Sequence, residues 1–394
     1  MWEQGDTAGC RLRLDEAIRI LEAEPHGPEL AECYTSLASD RMVSGRFEEA
    51  LALADSSLAL STRLGAEHLR PRALGWRGIA RSYLGDVGGL DDLHAALSIA
   101  ERHGLPRDQA KVLVILAEVL WATEGPLRAI ETSDMAGELA IRRGLSDIAV
   151  NCRTQSLAPL FDLGRWDELL DVADEQIEWS EAAGGGYDEI TARTWKTFVT
   201  IWRGGPRTVS GRALMAAAEA IGDPQVLVPA VVASGSMAIA DGRDDEALRL
   251  IGALDPISGA ELRWYREHFI IDLVRICVAA GDLPLASRIV EQAEAHAVRH
   301  RLALQVARAI LSEARGETEE AAAAYVATVG EWRAHGYMVE EGRAALGAGR
   351  CLARLGRAEA AAMLERAGEI FTDLGATPWL EETDALLERV GRPD

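Results

Sequence analysis

Lysine is nearly missing from this chain. It occurs only at Lys111 and Lys196, so arginine carries almost all the positive charge, which points to a GC-rich genome. Cations are also outnumbered, 41 Lys and Arg against 63 Asp and Glu. The formal charge of −22 argues against nucleic-acid binding by the chain alone, because neutralising phosphates takes clustered cations. Aromatic residues make up only 5% of the chain, and proline only 13 of 394 residues, while Ala, Leu, Arg and Glu dominate. That composition disfavours a sheet-rich core and favours helix, so an all-α chain is expected. The five cysteines (Cys10, Cys33, Cys152, Cys277, Cys351) are odd in number, widely spaced and free of any Cys-x-x-Cys. They suggest neither a disulfide frame nor a zinc site, and a reducing cytoplasm fits them best. Long apolar runs are lacking too: "KVLVILAEVLWA" from Lys111 is interrupted by Glu118 and is too short to span a bilayer. Met1 is not followed by a basic and then apolar secretory pattern.

Catalytic and cofactor motifs are equally scarce. A phosphate-binding loop needs Gly-rich backbone before Lys and Ser or Thr, but Lys111 follows Ala110 and Lys196 follows Trp195. There is no His-Glu-x-x-His, no EF-hand loop and no Gly-x-Ser-x-Gly elbow; "SGSMA" around Ser236 lacks the closing glycine. "GAG" at Gly347 to Gly349 lacks the third glycine and preceding strand of a dinucleotide site. In "HAVRH", His296 and His300 are four apart and share a face if helical, yet no third ligand accompanies them. His300 reads instead as a cation at a helix end, like His103 and His335. Glu340-Glu341 and Glu381-Glu382 read as solvated helix faces. No catalytic residue, metal or cofactor is expected.

What is there is a repeat. "GRFEEA" from Gly45 returns as "GRDDEA", "GDLPLA", "GETEEA" and "GRAEAA" at Gly242, Gly281, Gly316 and Gly356, with weaker versions at Gly85, Gly125, Gly164 and Gly204. Successive anchors lie 35 to 40 residues apart, so the period is near 40. A second glycine register follows at Gly65, Gly104, Gly144, Gly184, Gly222, Gly336 and Gly375, often behind Leu, Arg or His. Gly suits the left-handed position that ends a helix, and a cation beside it suits the helix dipole. Each period therefore reads as helix A, Gly turn, helix B, Gly stop. In "FEEALALADSSLAL", Phe47, Leu51, Ala54 and Leu58 recur at intervals of three and four, giving one buried stripe. Trp76 and Trp195 share one repeat slot, and Trp179 and Phe371 another, as packing wedges do.

These units resemble the tetratricopeptide family over nearly the whole chain. Tyr34, Leu37 and Ala38 precede Gly45 and Ala50 at spacings similar to that family's, and Gly316, Ala321 and Tyr325 repeat the pattern. The period exceeds that family's repeat length, and the proline that closes each repeat is mostly absent, implying longer helices. The expected fold is an α-α superhelix, a right-handed tetratricopeptide-like solenoid of about nine helix pairs spanning 1-394 as one unit. Within it, 1-27 is an incomplete leading repeat, 28-375 carries the nine pairs, and 376-394, with Pro378 and Gly391 at its ends, is a capping helix. One period back from Gly45 lies Gly5, so Met1 to Gln4 read as the end of a helix A and the chain as a fragment of something longer.

In that family helix A lines a concave groove. Carrying the groove positions over by counting from each anchor glycine gives Arg72, Tyr83, Asn151, Thr154, Asp162, Thr191, Thr194, Trp202, Ser236, His268, Arg275, Arg343 and Arg350. Two Arg-aromatic clusters, "RPRALGWRGIARSY" and "ELRWYREHFIIDLVR", suit either anchoring of an acidic or aromatic peptide or coverage of apolar helix surface, with Trp76 and Trp264 filling gaps. The closing segment, through Phe371, Leu374, Gly375, Ala376, Pro378 and Trp379, resembles the C-terminal arrays of large high-GC bacterial regulators. Those proteins carry STAND or AAA-type ATPases with nucleotide cyclase, regulatory or LuxR-type domains. The resemblance implies a non-catalytic protein-interaction or inducer-sensing array in a cytoplasmic signalling or transcription regulator. Its partner would be a protein, a peptide or a small inducer, without membrane contact. Alternatives are a fragment of a multidomain ATP-binding enzyme whose catalytic domains lie upstream, and a free-standing adaptor.

Overall fold

The structure, a computed structural model, describes residues 7–183, 185–254 and 265–391. It is helical throughout, with no strand among the described residues. After α1 (Thr7–Glu22), consecutive helices pack in pairs: α2 (Pro28–Val43) with α3 (Phe47–Arg63), α4 (Arg70–Tyr83) with α5 (Gly89–Arg102), and α6 (Pro106–Thr123) with α7 (Pro126–Arg142). Next come α8 (Ser146–Asp162) with α9 (Trp166–Ala183), α10 (Tyr187–Trp202) with α11 (Gly211–Ile221), and α12 (Pro224–Ala240) with α13 (Asp244–Gly252). The last pairs are α14 (Ile270–Ala279) with α15 (Leu283–Glu291), α16 (Val298–Ala314) with α17 (Thr318–Ala334), and α18 (Met338–Arg354) with α19 (Ala360–Leu374), followed by α20 (Thr377–Val390). From α2 onward each even-numbered helix also touches the next even-numbered one, so these form the inner layer of an α-solenoid.

The glycines of both registers set this pattern. From Gly45 and Gly65 to Gly356 and Gly375 they have positive φ, the left-handed conformation that stops a helix; Gly184 lies outside the described residues. Pro28, Pro106, Pro126 and Pro378 open helices where a missing N–H is not felt. Asp223 and Ser210 cap α12 and α11 by accepting from the backbone N–H groups of Gln225 and Ala213.

Two inner helices are buried on nearly every side. "PQVLVPAVVASGSMAIA" (α12) is apolar all round, as a helix surrounded by others must be. In α18, Gly342, Gly347 and Gly349 let Ile370, the Tyr325 ring and Leu364 come close, so the Gly347 to Gly349 segment is a helix-packing surface. Of the shared aromatic slots, Trp195 and Phe371 are buried, whereas Trp179 is 50% exposed on an outer helix. Trp264 and Met1 to Gln4 lie outside the described residues.

The solenoid also closes on itself. α6 touches α16, α8 touches α18 and α10 touches α20, so late inner helices pack against early ones. Arg299 Nε donates to Asp162 Oδ2 at 3.2 Å, and Arg203 Nε donates to the Leu374 carbonyl at 3.1 Å. The Tyr337 hydroxyl donates to the Trp121 carbonyl, and the rings of Trp202 and Trp379 lie 4.4 Å apart. Gly125 shows how tight this contact is: a Cβ there would sit 2.1 Å from the His335 carbonyl oxygen. A single hydrophobic cluster, from Ile130 to Ala376, runs across both turns.

Candidate functional site

Closure of the inner layer changes what the counted groove positions can do. Thr154, Asp162, Thr194, Trp202 and Arg343 are buried rather than displayed along an open channel. Arg343 is held by Asp272 at 2.5 Å and Glu340 at 2.8 Å, and its guanidinium lies 4.7 Å from the Trp202 ring and 5.4 Å from that of Trp379. Arg275 stands close by, its pKa pushed down to about 10 by burial and by Arg343. Arg350 pairs with Glu313 and Glu382, joining α18 to α16 and α20. Arg72, Asn151 and Ser236 are half-buried on α4, α8 and α12. These positions are distributed among several clusters along the inner layer.

Three of them meet. Thr154, Thr191 and His268 line an inner recess of about 100 Å³, together with side chains that counting from the glycines does not reach. Its walls are Glu118 and Trp121 of α6, Ser133 of α7, Gln155 and Ala158 of α8, Tyr187 and Trp195 of α10, Gln225 of α12, and Tyr265 and Phe269 before α14. Five aromatic side chains therefore surround a mostly apolar space into which Glu118, Gln155, Thr191 and Gln225 bring polar groups, the composition of a small-molecule site.

The charges around the recess are unbalanced. Glu118 accepts a hydrogen bond from the Tyr83 hydroxyl, which places that counted residue directly behind the wall. Burial pushes the Glu118 carboxyl up, against the opposing effect of that bond. Behind Thr154, Asp188 accepts its hydroxyl at 2.6 Å and is likewise pushed up by burial. Asp223, beside Gln225, is pushed up to about 6 by burial, with the Gln225 backbone bond opposing. None of these three carboxylates forms an ion pair among the described residues. No lysine or arginine is among the described residues that line the recess.

At its other end the recess borders the contact between turns. The Trp121 indole Nε1 donates to Asp162 at 2.8 Å, and the Arg299 guanidinium lies 4.8 Å from its ring centre. Arg299 also donates to the His268 carbonyl at 3.0 Å. Burial, with Arg299 and His296 adding to it, drives the His300 pKa well down; its Nε2 lies 2.8 Å from His268 Nδ1. His300 therefore departs from the expected helix-end cation, because it occupies the first turn of α16. His296 precedes that helix and packs against Gly85, so the two histidines do not share a helix face. No group of three or more metal-ligating side chains occurs among the described residues.

No protein-family model and no curated protein matches the chain. Among solved structures it is similar to the crystal structure of yeast Tom70, at 13% identity over 98% of this chain and 95% of that one, with a TM-score of 0.33. It is also similar to the Cut9-Hcn1 hetero-tetramer of the APC/C (12% identity, 97% and 99% covered, TM-score 0.19). A circular tandem repeat protein with novel repeat topology is a third (14% identity, 99% and 94% covered, TM-score 0.17). The fold assignment stands on the chain's own paired helices and glycine stops.

Proposed function

We propose that the chain is a non-catalytic sensing array, which holds a small molecule in the recess and presents its outer helices to a protein partner. The carrying observation is the place of Trp121. Its ring lines the recess, its Nε1 holds Asp162, and its carbonyl receives Tyr337 from the other turn. A ligand that moves this side chain shifts the balance between open and closed forms of the inter-turn contact, by as much as it prefers one form. On the outer layer, Leu127, Met135, Ile141 and Trp179 of α7 and α9 are exposed, apolar surface suited to a protein. The closing segment's resemblance to arrays of high-GC bacterial regulators makes a cytoplasmic signalling or transcription regulator the proposed setting. A longer polypeptide with an ATPase or effector domain upstream belongs to the same proposal.

Ligand-observed NMR with indole and benzylammonium as probes tests the recess. Binding that disappears in Ala158→Phe, a substitution that fills the space while the helical signal is retained, supports the reading. Absence of binding by both probes, or binding that Ala158→Phe leaves intact, refutes it.

A further inference from the structure

Resting on the recess as a ligand site, we propose that its occupant is a small organic ammonium ion, primary or secondary, with an apolar body about one ring in size. The nitrogen faces Glu118, and the body packs among Trp121, Trp195, Tyr265 and Phe269.

Size comes first. A cavity of about 150 Å³ accommodates a benzene ring. A recess of about 100 Å³ is smaller than that but open on one side, so it holds a short branched chain or most of one ring with the remainder at its mouth, and a folded peptide is excluded. Charge follows. Glu118 belongs to the wall, Asp188 and Asp223 stand behind it, and no described lining residue is lysine or arginine. An anion would meet three carboxylates with no described cation in the wall, since Arg299 at the far end is already paired with Asp162. A cation would supply the partner that these buried groups lack, and an ionised carboxylate away from water is costly until it has one. Among the described residues Glu118 receives the neutral Tyr83 hydroxyl, a donor that does not neutralise the carboxylate.

The apolar walls point the same way. Aromatic side chains attract a desolvated cation through the negative faces of their rings, and five of them line this space. Nitrogen substitution is set by hydrogen bonding. Gln155, Gln225 and Thr191 join Glu118 in offering acceptor oxygens, which an ammonium bearing N–H groups satisfies and a quaternary nitrogen does not. The Tyr187 hydroxyl lies 3.3 Å from Gln225 Oε1, which orients that amide beside the recess.

The full chain is titrated calorimetrically near neutral pH with benzylammonium, benzyl alcohol and benzoate, three probes of similar shape and different charge. Benzylammonium is expected to bind at least about tenfold more tightly than benzyl alcohol, with benzoate weakest, because it alone brings a positive charge to the carboxylate. Glu118→Gln keeps the side-chain length and should bring benzylammonium down to the affinity of the alcohol while leaving the alcohol unchanged. If that variant does not fold, the ranking of the three probes on the unmodified chain carries the test. Equal binding of alcohol and ammonium, or tighter binding of benzoate, overturns the inference and leaves a neutral or anionic ligand for the same recess. Failure of every probe overturns the recess as a ligand site.

Discussion

Replacing Arg299 with methionine should loosen the contact between the two turns, because it strips a buried carboxylate of the one cation paired with it among the described residues. The Arg299 and Asp162 side chains are 9% and 3% exposed, so neither charge is relieved by solvent. Breaking a buried pair by removing one partner costs about 3–5 kcal/mol. Asp162 retains the Trp121 Nε1 donor at 2.8 Å, which places the expected loss near the lower end, about 3 kcal/mol near neutral pH. The sign of the pH dependence follows from the orphaned acid. Burial raises the folded-state pKa of Asp162 even in the presence of Arg299, so without it the folded state takes up a proton more readily than the unfolded state. Stability of the variant relative to the parent should therefore improve as pH falls from about 7 to about 5. Urea denaturation at both pH values measures this, and Asp162→Asn combined with Arg299→Met should recover all but about 1 kcal/mol, since a neutral pair leaves no buried charge. A loss that is the same at both pH values, or that Asp162→Asn fails to repair, refutes the ion pair as the link between turns.

Two further outcomes are open to the same assay. Gly125→Ala should destabilise by about 2 kcal/mol or more, since it adds a Cβ against the His335 carbonyl at a φ of 112°. Gly65→Ala, at a φ of 64° with open space around it, should cost only about 1 kcal/mol. Asp223→Asn retains a good helix cap and removes an acid whose folded pKa of about 6 exceeds its value of 3.8 in the unfolded chain. An acid raised in this way penalises folding at neutral pH and ceases to do so below its unfolded value. The variant should thus gain about 2–3 kcal/mol near pH 7, an advantage that fades as pH falls through 6 toward 4, in urea titrations across that range.

The helical layout was legible because its signals are local. Gly45 and Gly65 each stop a helix through the backbone conformation of one residue, and the stripe from Phe47 to Leu58 needs only its own turn spacing. Contact between turns is of another kind. Asp162 and Arg299 are 137 residues apart, and their meeting depends on small rotations accumulated over every intervening pair, which no short pattern encodes. Counting from glycines therefore reached Thr154, Thr191 and His268 as inner-layer positions, yet it treated Asp162, Trp202 and Arg343 as open groove when they are internal ties. Glu118 carried a readable signal: one acid inside "KVLVILAEVLWA", the kind of residue an apolar helix does not keep without a polar partner. As an interruption of an apolar run it excludes a membrane span, and its position on the inner face gives it a second meaning.

Amide hydrogen exchange with and without saturating benzylammonium tests the central claim, that recess occupancy and inter-turn contact are one equilibrium. The probe should change exchange at the end of α6 around Trp121 and, in the same titration, at Tyr337 and the first turn of α18 on the other turn. Saturable binding that alters exchange at the recess walls alone, with Tyr337 and α18 unchanged, would contradict it.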